Sequence, residues 1–197
     1  MCVCICCSIR GCRSARVMMV GVHLNSGKTL IGEAAAIAAL ASGKRAFYTT
    51  PLKALSNQKL REFSSKFGSD QVGLITGDGN YKSDANIVVM TAEIFRNMLY
   101  TDAKRAEQGR GEHDGPGDEN RLNSVEYVIL DEVHYLNDPY RGTTWEEIII
   151  YCPSHIKVIC LSATVANSQQ LSDWISEVSE IDKAYRRLMI APLLSPP

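Results

Sequence analysis

Short apolar runs rich in β-branched residues alternate along this chain with longer segments of helical period. The short runs are predicted strands at Val17–Val20, Arg45–Thr49, Val72–Thr76, Asn86–Met90, Val125–Leu130 and Ile156–Leu161. The longer segments are predicted helices at Leu30–Ala41, Leu52–Phe67, Ala92–Tyr100, Thr144–Tyr151 and Ser168–Val178. The alternation predicts an α/β fold with a mostly parallel sheet, helices on both faces, and ligands beyond the carboxyl ends of the strands.

The size and charge of the chain limit what it can be. Its 197 residues suit one α/β domain and fall short of two domains of ordinary size. The formal net charge is −1, so contact with nucleic acid requires a local patch of Lys, Arg and backbone amides. No apolar run approaches the roughly 20 residues that a membrane span needs.

Three segments are set apart by composition. Residues 1–16 hold five of the seven cysteines and are predicted to be an unstructured tail. A metal site is the alternative, but their spacing is not the usual paired zinc spacing. Residues 101–123 are polar and charged and are predicted to be a flexible insertion in a domain spanning 17–181. Residues 182–197 are expected to be a second tail, whereas Cys152 and Cys160 read as reduced core residues of an intracellular protein.

A predicted strand, a tight loop and a predicted helix surround a phosphate-binding pattern. Glycine lets the backbone approach a phosphate, Lys28 can reach the β and γ oxygens, and the Thr29 hydroxyl can coordinate Mg²⁺. The alternative is a helix N-terminus opened by a capping serine. The predicted ATP-binding residues are Asn25, Ser26, Gly27, Lys28 and Thr29.

A second group of predicted functional residues follows the strand Val125–Leu130. Asp131 is placed to hold Mg²⁺, usually through water, and Glu132 to orient and deprotonate the attacking water. Asp131, Glu132 and Lys28 are therefore the predicted catalytic residues, and Thr29 and Asp131 the predicted metal ligands. Together they predict an Mg²⁺-dependent nucleotide hydrolase.

Five ordered motifs carry a family resemblance. They are Thr49–Lys59, Thr76–Asp78, Met90–Ile94, Asp131–His134 and Leu161–Asn167, and they follow the phosphate-binding pattern Ser26–Thr29 in the chain. Over residues 17–178 the chain resembles superfamily-two DExH-box RNA helicases of the superkiller (Ski-like) type. It looks closest to the branch found in cyanobacteria and plant chloroplasts. The resemblance implies the first RecA-like, P-loop domain of a two-domain motor, with ATP and Mg²⁺ as cofactors and a chloroplast as one compartment.

The resemblance also implies roles for further residues. Single-stranded RNA would bind along the carboxyl edge of the sheet, mainly through phosphates and sugars. The implied RNA-binding residues are Thr50, Pro51, Lys53, Gln58, Gly77, Asp78, Thr91 and Glu93. The implied residues that couple the nucleotide state to RNA grip are His134, Ser162 and Thr164.

The sequence departs from the family pattern in three places. Val22 through Asn25 replace the small residues expected before the phosphate loop, no second RecA-like domain follows, and Arg186–Pro197 continues in no familiar way. These departures predict a fragment or truncated gene model, weak or inactive on its own. Two other functions stay open: a non-catalytic RNA- or partner-binding module, and a DNA helicase of the same superfamily.

Overall fold

The computed structural model describes residues 3–5, 17–21, 27–107, 122–133 and 142–162. Its strands are β1 (Val3–Ile5), β2 (Val17–Gly21), β3 (Arg45–Thr50), β4 (Val72–Thr76), β5 (Gly79–Tyr81), β6 (Ile87–Thr91), β7 (Val125–Leu130) and β8 (Lys157–Ser162). Its helices are α1 (Lys28–Ala41), α2 (Lys53–Phe67), α3 (Ala92–Glu107) and α4 (Gly142–Tyr151).

The strands form one sheet in the order β1-β2-β8-β7-β3-β6-β4-β5. The six inner strands are parallel, and β1 and β5 pair antiparallel at the two edges. The α/β class and the mostly parallel sheet predicted from the alternation are therefore confirmed.

Alternation of side chains along each strand divides the core into two layers. Tyr48 and Ile129 face one side, in a buried cluster with residues of α1 and α2. Phe47 and Val128 face the other side, in a cluster with residues of α3 and α4 that includes the fully buried Trp145. The helices thus cover both faces of the sheet, as the sequence predicts for strands apolar on both sides.

Two segments differ from the predictions. Thr101–Glu107, assigned to the insertion 101–123, continues α3, because its Ala, Lys, Arg and Glu are strong helix formers despite their polarity. At the other end of that insertion Leu122 is buried, since its turn leads into β7. Gly79–Tyr81, which is not among the predicted strands, forms the edge strand β5.

The N-terminal tail was predicted to be unstructured throughout, but Val3–Ile5 forms β1 and pairs antiparallel with β2. Two β-branched residues in three favour such an extended segment. The predicted helix Ser168–Val178 and the tail 182–197 lie outside the described residues. Among the described residues, no helix combines the length and apolarity of a membrane span.

Candidate nucleotide and nucleic-acid site

The predicted site residues come together along the carboxyl edge of the parallel strands. β8 ends at Ser162, β7 is followed by Asp131, β3 ends at Thr50, and β6 ends at Thr91. Thr50 is paired with Thr91, and Leu130 with Thr49, so these strand ends are neighbours. One edge of one sheet therefore presents residues that lie as much as 112 positions apart in sequence.

The helix that follows the phosphate loop begins in a way that suits an anion. Gly27 precedes α1 with φ of 88°, a left-handed conformation that glycine adopts without steric cost. Gly27 has no side chain that could accept a hydrogen bond from the first amides of α1, and these amides have no acceptor within the helix. These donors, together with the Lys28 ammonium, suit a phosphate group. Asn25 and Ser26 lie outside the described residues.

The predicted catalytic pair is in direct contact. Lys28 Nζ donates to both Glu132 carboxylate oxygens, at 3.2 Å to Oε1 and 3.3 Å to Oε2, across 104 residues of sequence. The Lys28 side chain is 13% exposed and that of Glu132 is 27% exposed. Partial burial strengthens such a charge-assisted pair, and the remaining exposure gives solvent and a ligand access to it.

The backbone around the acidic pair is held tightly. The amide of Asp131 donates to the carbonyl of Thr49 at 3.0 Å, which ties the end of β7 to β3. Glu132 has φ of 54°, a left-handed conformation that is uncommon for any residue with a side chain. Its amide donates to Asp131 Oδ1 at 2.9 Å. A carboxylate held in a sparsely populated conformation by its surroundings is typical of a functional site.

Burial and a hydrogen bond act in opposite directions on the pKa of the Asp131 carboxyl group. Burial raises its pKa, the Tyr48 hydroxyl that donates to Oδ2 at 2.7 Å opposes that rise, and the nearby Glu132 carboxylate adds to it. Burial, together with the charge of Asp131, raises the pKa of Tyr48 as well, so this phenol stays a donor. Sequence reasoning missed Tyr48, because a strand tyrosine ordinarily reads as core.

The hydroxyl of Thr29, the other predicted metal ligand, accepts a hydrogen bond from Lys59 Nζ at 3.1 Å. With the Asp131 carboxylate it makes a set of hard oxygen donors, which is the kind that Mg²⁺ prefers. We call Lys28, Thr29, Asp131 and Glu132 the nucleotide half of the edge. The described residues of this half fit a magnesium-bound nucleotide in chemistry and in access.

Farther along the edge lie Lys53, Gly77 and Asp78, which we call the RNA half because these residues were predicted to bind RNA. Lys53 Nζ donates to Asp78 Oδ1 at 2.7 Å, with side chains 53% and 78% exposed. A side chain added at Gly77 would meet the end of the Lys53 side chain at 3.7 Å. These three predicted RNA-binding residues are therefore brought together on the surface.

The other predicted RNA-binding residues are placed differently from one another. Thr91 is buried at the end of β6, and Glu93 is half-buried in the first turn of α3. Pro51 is buried before α2. Gln58 is exposed on α2 and donates to Glu62 Oε1 at 2.9 Å.

The hydroxyl of Thr50, which was also predicted to bind RNA, is turned into the protein. Thr50 is 0% exposed, and its Oγ1 lies 2.6 Å from Ser56 Oγ and donates to the Leu52 carbonyl at 3.1 Å. The hydroxyl is used to fix the turn into α2, which is a local bond that threonine commonly makes at such positions.

The residues predicted to couple the two halves are only partly described. Ser162 is buried at the end of β8, at the nucleotide half of the edge. His134 and Thr164 lie outside the described residues.

A lysine at the start of α1, set against an Asp-Glu pair at the end of β7 in a mostly parallel sheet, is typical of a nucleotide-binding α/β domain. The family description "DEAD/DEAH box helicase" matches residues 7–172, so the chain belongs to that family.

Known relatives agree with the superkiller-type resemblance. The chain is 55% identical over 161 residues to the DExH-box ATP-dependent RNA helicase DExH15, chloroplastic, of Arabidopsis thaliana, covering 82% of this chain and 13% of the relative. It is 44% identical to the probable helicase HelY of Mycobacterium tuberculosis, covering 82% of the chain and 16% of that protein. It is 42% identical to the antiviral helicase SKI2 of Saccharomyces cerevisiae, covering 83% of the chain and 11% of that protein. The chain thus spans a small part of their length.

A solved structure agrees on the fold. The helicase MrfA bound to DNA superposes with a TM-score of 0.60 at 20% identity, covering 82% of this chain and 24% of that one. At that identity the likeness supports the RecA-like α/β fold alone.

Proposed function

We propose that this chain is the ATP-binding motor domain of a DExH-box RNA helicase, which couples Mg-ATP hydrolysis to its grip on single-stranded RNA. The observation that carries the proposal is the contact between Lys28 and Glu132, 3.2 Å apart across 104 residues. Two residues so distant in sequence meet where a γ-phosphate and its attacking water would have to be held. Family membership agrees with this arrangement.

The four residues of the nucleotide half have distinct tasks in this proposal. The Lys28 ammonium leaves Glu132 and donates to the β and γ oxygens of ATP, which neutralises their charge. Released from that pair, the Glu132 carboxylate can accept a proton from the attacking water. Thr29 and Asp131 would hold Mg²⁺, which supplies charge stabilisation to the transferring phosphoryl group. The Lys28–Glu132 pair thus keeps the base engaged until nucleotide arrives.

The RNA half supplies the proposed grip. Lys53 is exposed and close to Gly77, where the backbone lacks a side chain and can approach a phosphate. Phosphate contact would replace the exposed pair with Asp78 at little cost, because such surface pairs are weak. Thr91, Glu93, Gln58 and Pro51 are proposed to shape the same groove.

The choice of RNA rests on the relatives, two of which are named RNA or antiviral helicases. Discrimination would depend on contacts to the 2′-hydroxyl. Competition between RNA and DNA oligonucleotides of matched sequence tests it: a preference for DNA would favour a DNA helicase of the same superfamily.

The proposal further expects a second RecA-like domain in the full-length protein, since the chain matches 13% of its chloroplast relative. An arginine from such a domain contributes about 10³-fold to 10⁵-fold to the rate in other phosphoryl-transfer enzymes. The isolated chain should therefore bind nucleotide weakly and unwind nothing. The same relative supports a chloroplast location, which immunodetection in isolated chloroplasts tests.

Calorimetric titration of the chain with Mg-ATP is the primary test. Saturable binding at submillimolar to millimolar nucleotide supports the motor domain. No heat of binding at millimolar nucleotide would instead support a non-catalytic binding module. The K28A variant is the control, because binding that survives loss of the ammonium does not use this site.

A further inference from the structure

Lys59 reaches from α2 into the nucleotide half of the edge. Its Nζ lies 3.1 Å from the Thr29 hydroxyl, 2.8 Å from Glu62 Oε2 and 5.7 Å from the centre of the Tyr48 ring. The side chain is 12% exposed, which is unusual for lysine. Its ammonium is therefore held beside the predicted magnesium site by three groups from three different elements of the fold.

The position of this ammonium conflicts with a bound magnesium ion. The Thr29 hydroxyl is bonded to Lys59, and the Asp131 carboxylate is bonded to the hydroxyl of Tyr48, whose ring lies under the same ammonium. Magnesium bonds oxygen at about 2.0–2.1 Å. An ion ligated by Thr29 would thus lie close to a second cation, and like charges at such range repel strongly where burial is partial.

The ammonium has an alternative partner that does not conflict with the ion. Glu62 follows Lys59 by one helical turn and accepts from it at 2.8 Å. Gln58 donates to the other oxygen of the same carboxylate, which keeps Glu62 in place. Lysine has a flexible four-carbon stem, so it can leave Thr29 while keeping Glu62.

We propose that Lys59 is a placeholder cation: it occupies the hydroxyl of Thr29 while magnesium is absent and withdraws onto Glu62 when magnesium binds. The role is a positioning one, because the ammonium acts through Thr29. The inference rests on the proposed function, since it requires that Thr29 and Asp131 hold magnesium with the nucleotide.

A magnesium titration of nucleotide binding tests the proposal on the whole chain. A fluorescent, slowly hydrolysed ATP analogue is held at fixed concentration while magnesium is added. Lys59→Met keeps the length of the side chain and removes its charge. The magnesium concentration at half-maximal signal should fall about threefold to fivefold, the size of a partly exposed charge interaction.

A second variant is expected to shift the midpoint the other way. Glu62→Gln removes the partner onto which the ammonium withdraws, so Lys59 should hold Thr29 more persistently and the magnesium midpoint should rise. Lys66→Met is the matched control. It removes a lysine from the same helix, where it pairs with Glu33 instead of Thr29, and should leave the midpoint unchanged.

The possible results separate the two levels of inference. Midpoints equal to that of the unmodified chain, or shifted in the same direction by both variants, would overturn the placeholder role and leave the ATP site standing. Absence of any magnesium-dependent signal in the unmodified chain overturns the ATP site and the placeholder together. Melting curves establish folding, and Glu62→Gln alone decides if Lys59→Met is unfolded.

Discussion

The nucleotide half and the RNA half of the sheet edge hold their side chains in different ways. Lys28, Thr29 and Asp131 are partly buried and bonded to side chains from other elements of the fold. In the RNA half, Lys53 and Asp78 are more than half exposed and bonded to each other. The comparison suggests a site whose chemistry is preorganised at one end, whereas its grip at the other end stays adaptable.

The largest expected effect tests the preorganised half. Glu132→Gln keeps the shape of the side chain but cannot accept a proton, so ATP turnover by the full-length protein should fall about 100-fold to 1,000-fold. Nucleotide binding should persist, because Lys28 no longer has a carboxylate to leave. Steady-state phosphate release and nucleotide titration measure the two quantities. Glu126→Gln, on the same strand near its opposite end, is the control; equal loss in both variants would contradict the role of Glu132.

A second test concerns the backbone beneath the RNA half. A side chain at Gly73 would lie 1.9 Å from the Lys82 carbonyl oxygen, where β4 meets the segment after β5. Gly73→Ala should therefore reduce the free energy of unfolding by about 3 kcal/mol. Chemical denaturation measures it. A methyl group at Gly77 would make only an ordinary contact, at 3.7 Å, with the end of the flexible Lys53 side chain. Gly77→Ala should therefore change the stability little, and similar losses in both variants would refute the steric argument.

Replacing Thr50 tests whether its hydroxyl supports the fold or contacts RNA directly. Thr50→Val keeps the shape but leaves the Ser56 hydroxyl without its 2.6 Å partner, which should cost about 1–3 kcal/mol of stability. Thr76→Val is the comparison, because Thr76 also ends a strand but its hydroxyl bond is long at 3.4 Å. A Thr50→Val protein of normal stability and weakened RNA binding would support the predicted direct contact between Thr50 and RNA.

The smallest effect on stability is expected at the exposed end. Lys53→Ala should change the free energy of unfolding by less than about 0.5 kcal/mol, as exposed ion pairs contribute little. RNA affinity should fall about threefold to tenfold, and the slope of log affinity against log salt should decrease by about 1. Lys157→Ala removes an exposed, paired lysine at the opposite edge. An equal loss of affinity there would mean that Lys53 acts only through overall charge.

The strands of the sheet could be predicted from the sequence more fully than the contacts between side chains could. Strand and helix periods place β3, β6, β7 and β8 to within a residue, because apolar patterns are local and each strand needs two covered faces. β5 was not predicted, because Gly79 and Asn80 at its start are typical of turns. Only its pairing with β4 makes this segment a strand.

Side-chain partners depend on packing that no local pattern contains. Lys28 was identifiable from its motif. Its 3.2 Å contact with Glu132 depends on the strand order, which places the end of β7 only two strands away from β2. Lys59 ends the motif Thr49–Lys59, but its contact with Thr29 could not be predicted, since Thr29 is 30 residues away and on another helix. The burial of the Thr50 hydroxyl could not be predicted locally, because it comes from α2 folding back over the strand end.

The 104-residue separation of Lys28 and Glu132 has a consequence for folding. The pair joins the segment after β2 to the end of β7, and β8 lies between these two strands in the sheet, so the pair is a non-local contact. A nucleotide that needs both residues would bind only the state in which these segments have come together, and such binding stabilises that state by mass action. A nucleotide-dependent rise in melting temperature would therefore report that the two segments are assembled.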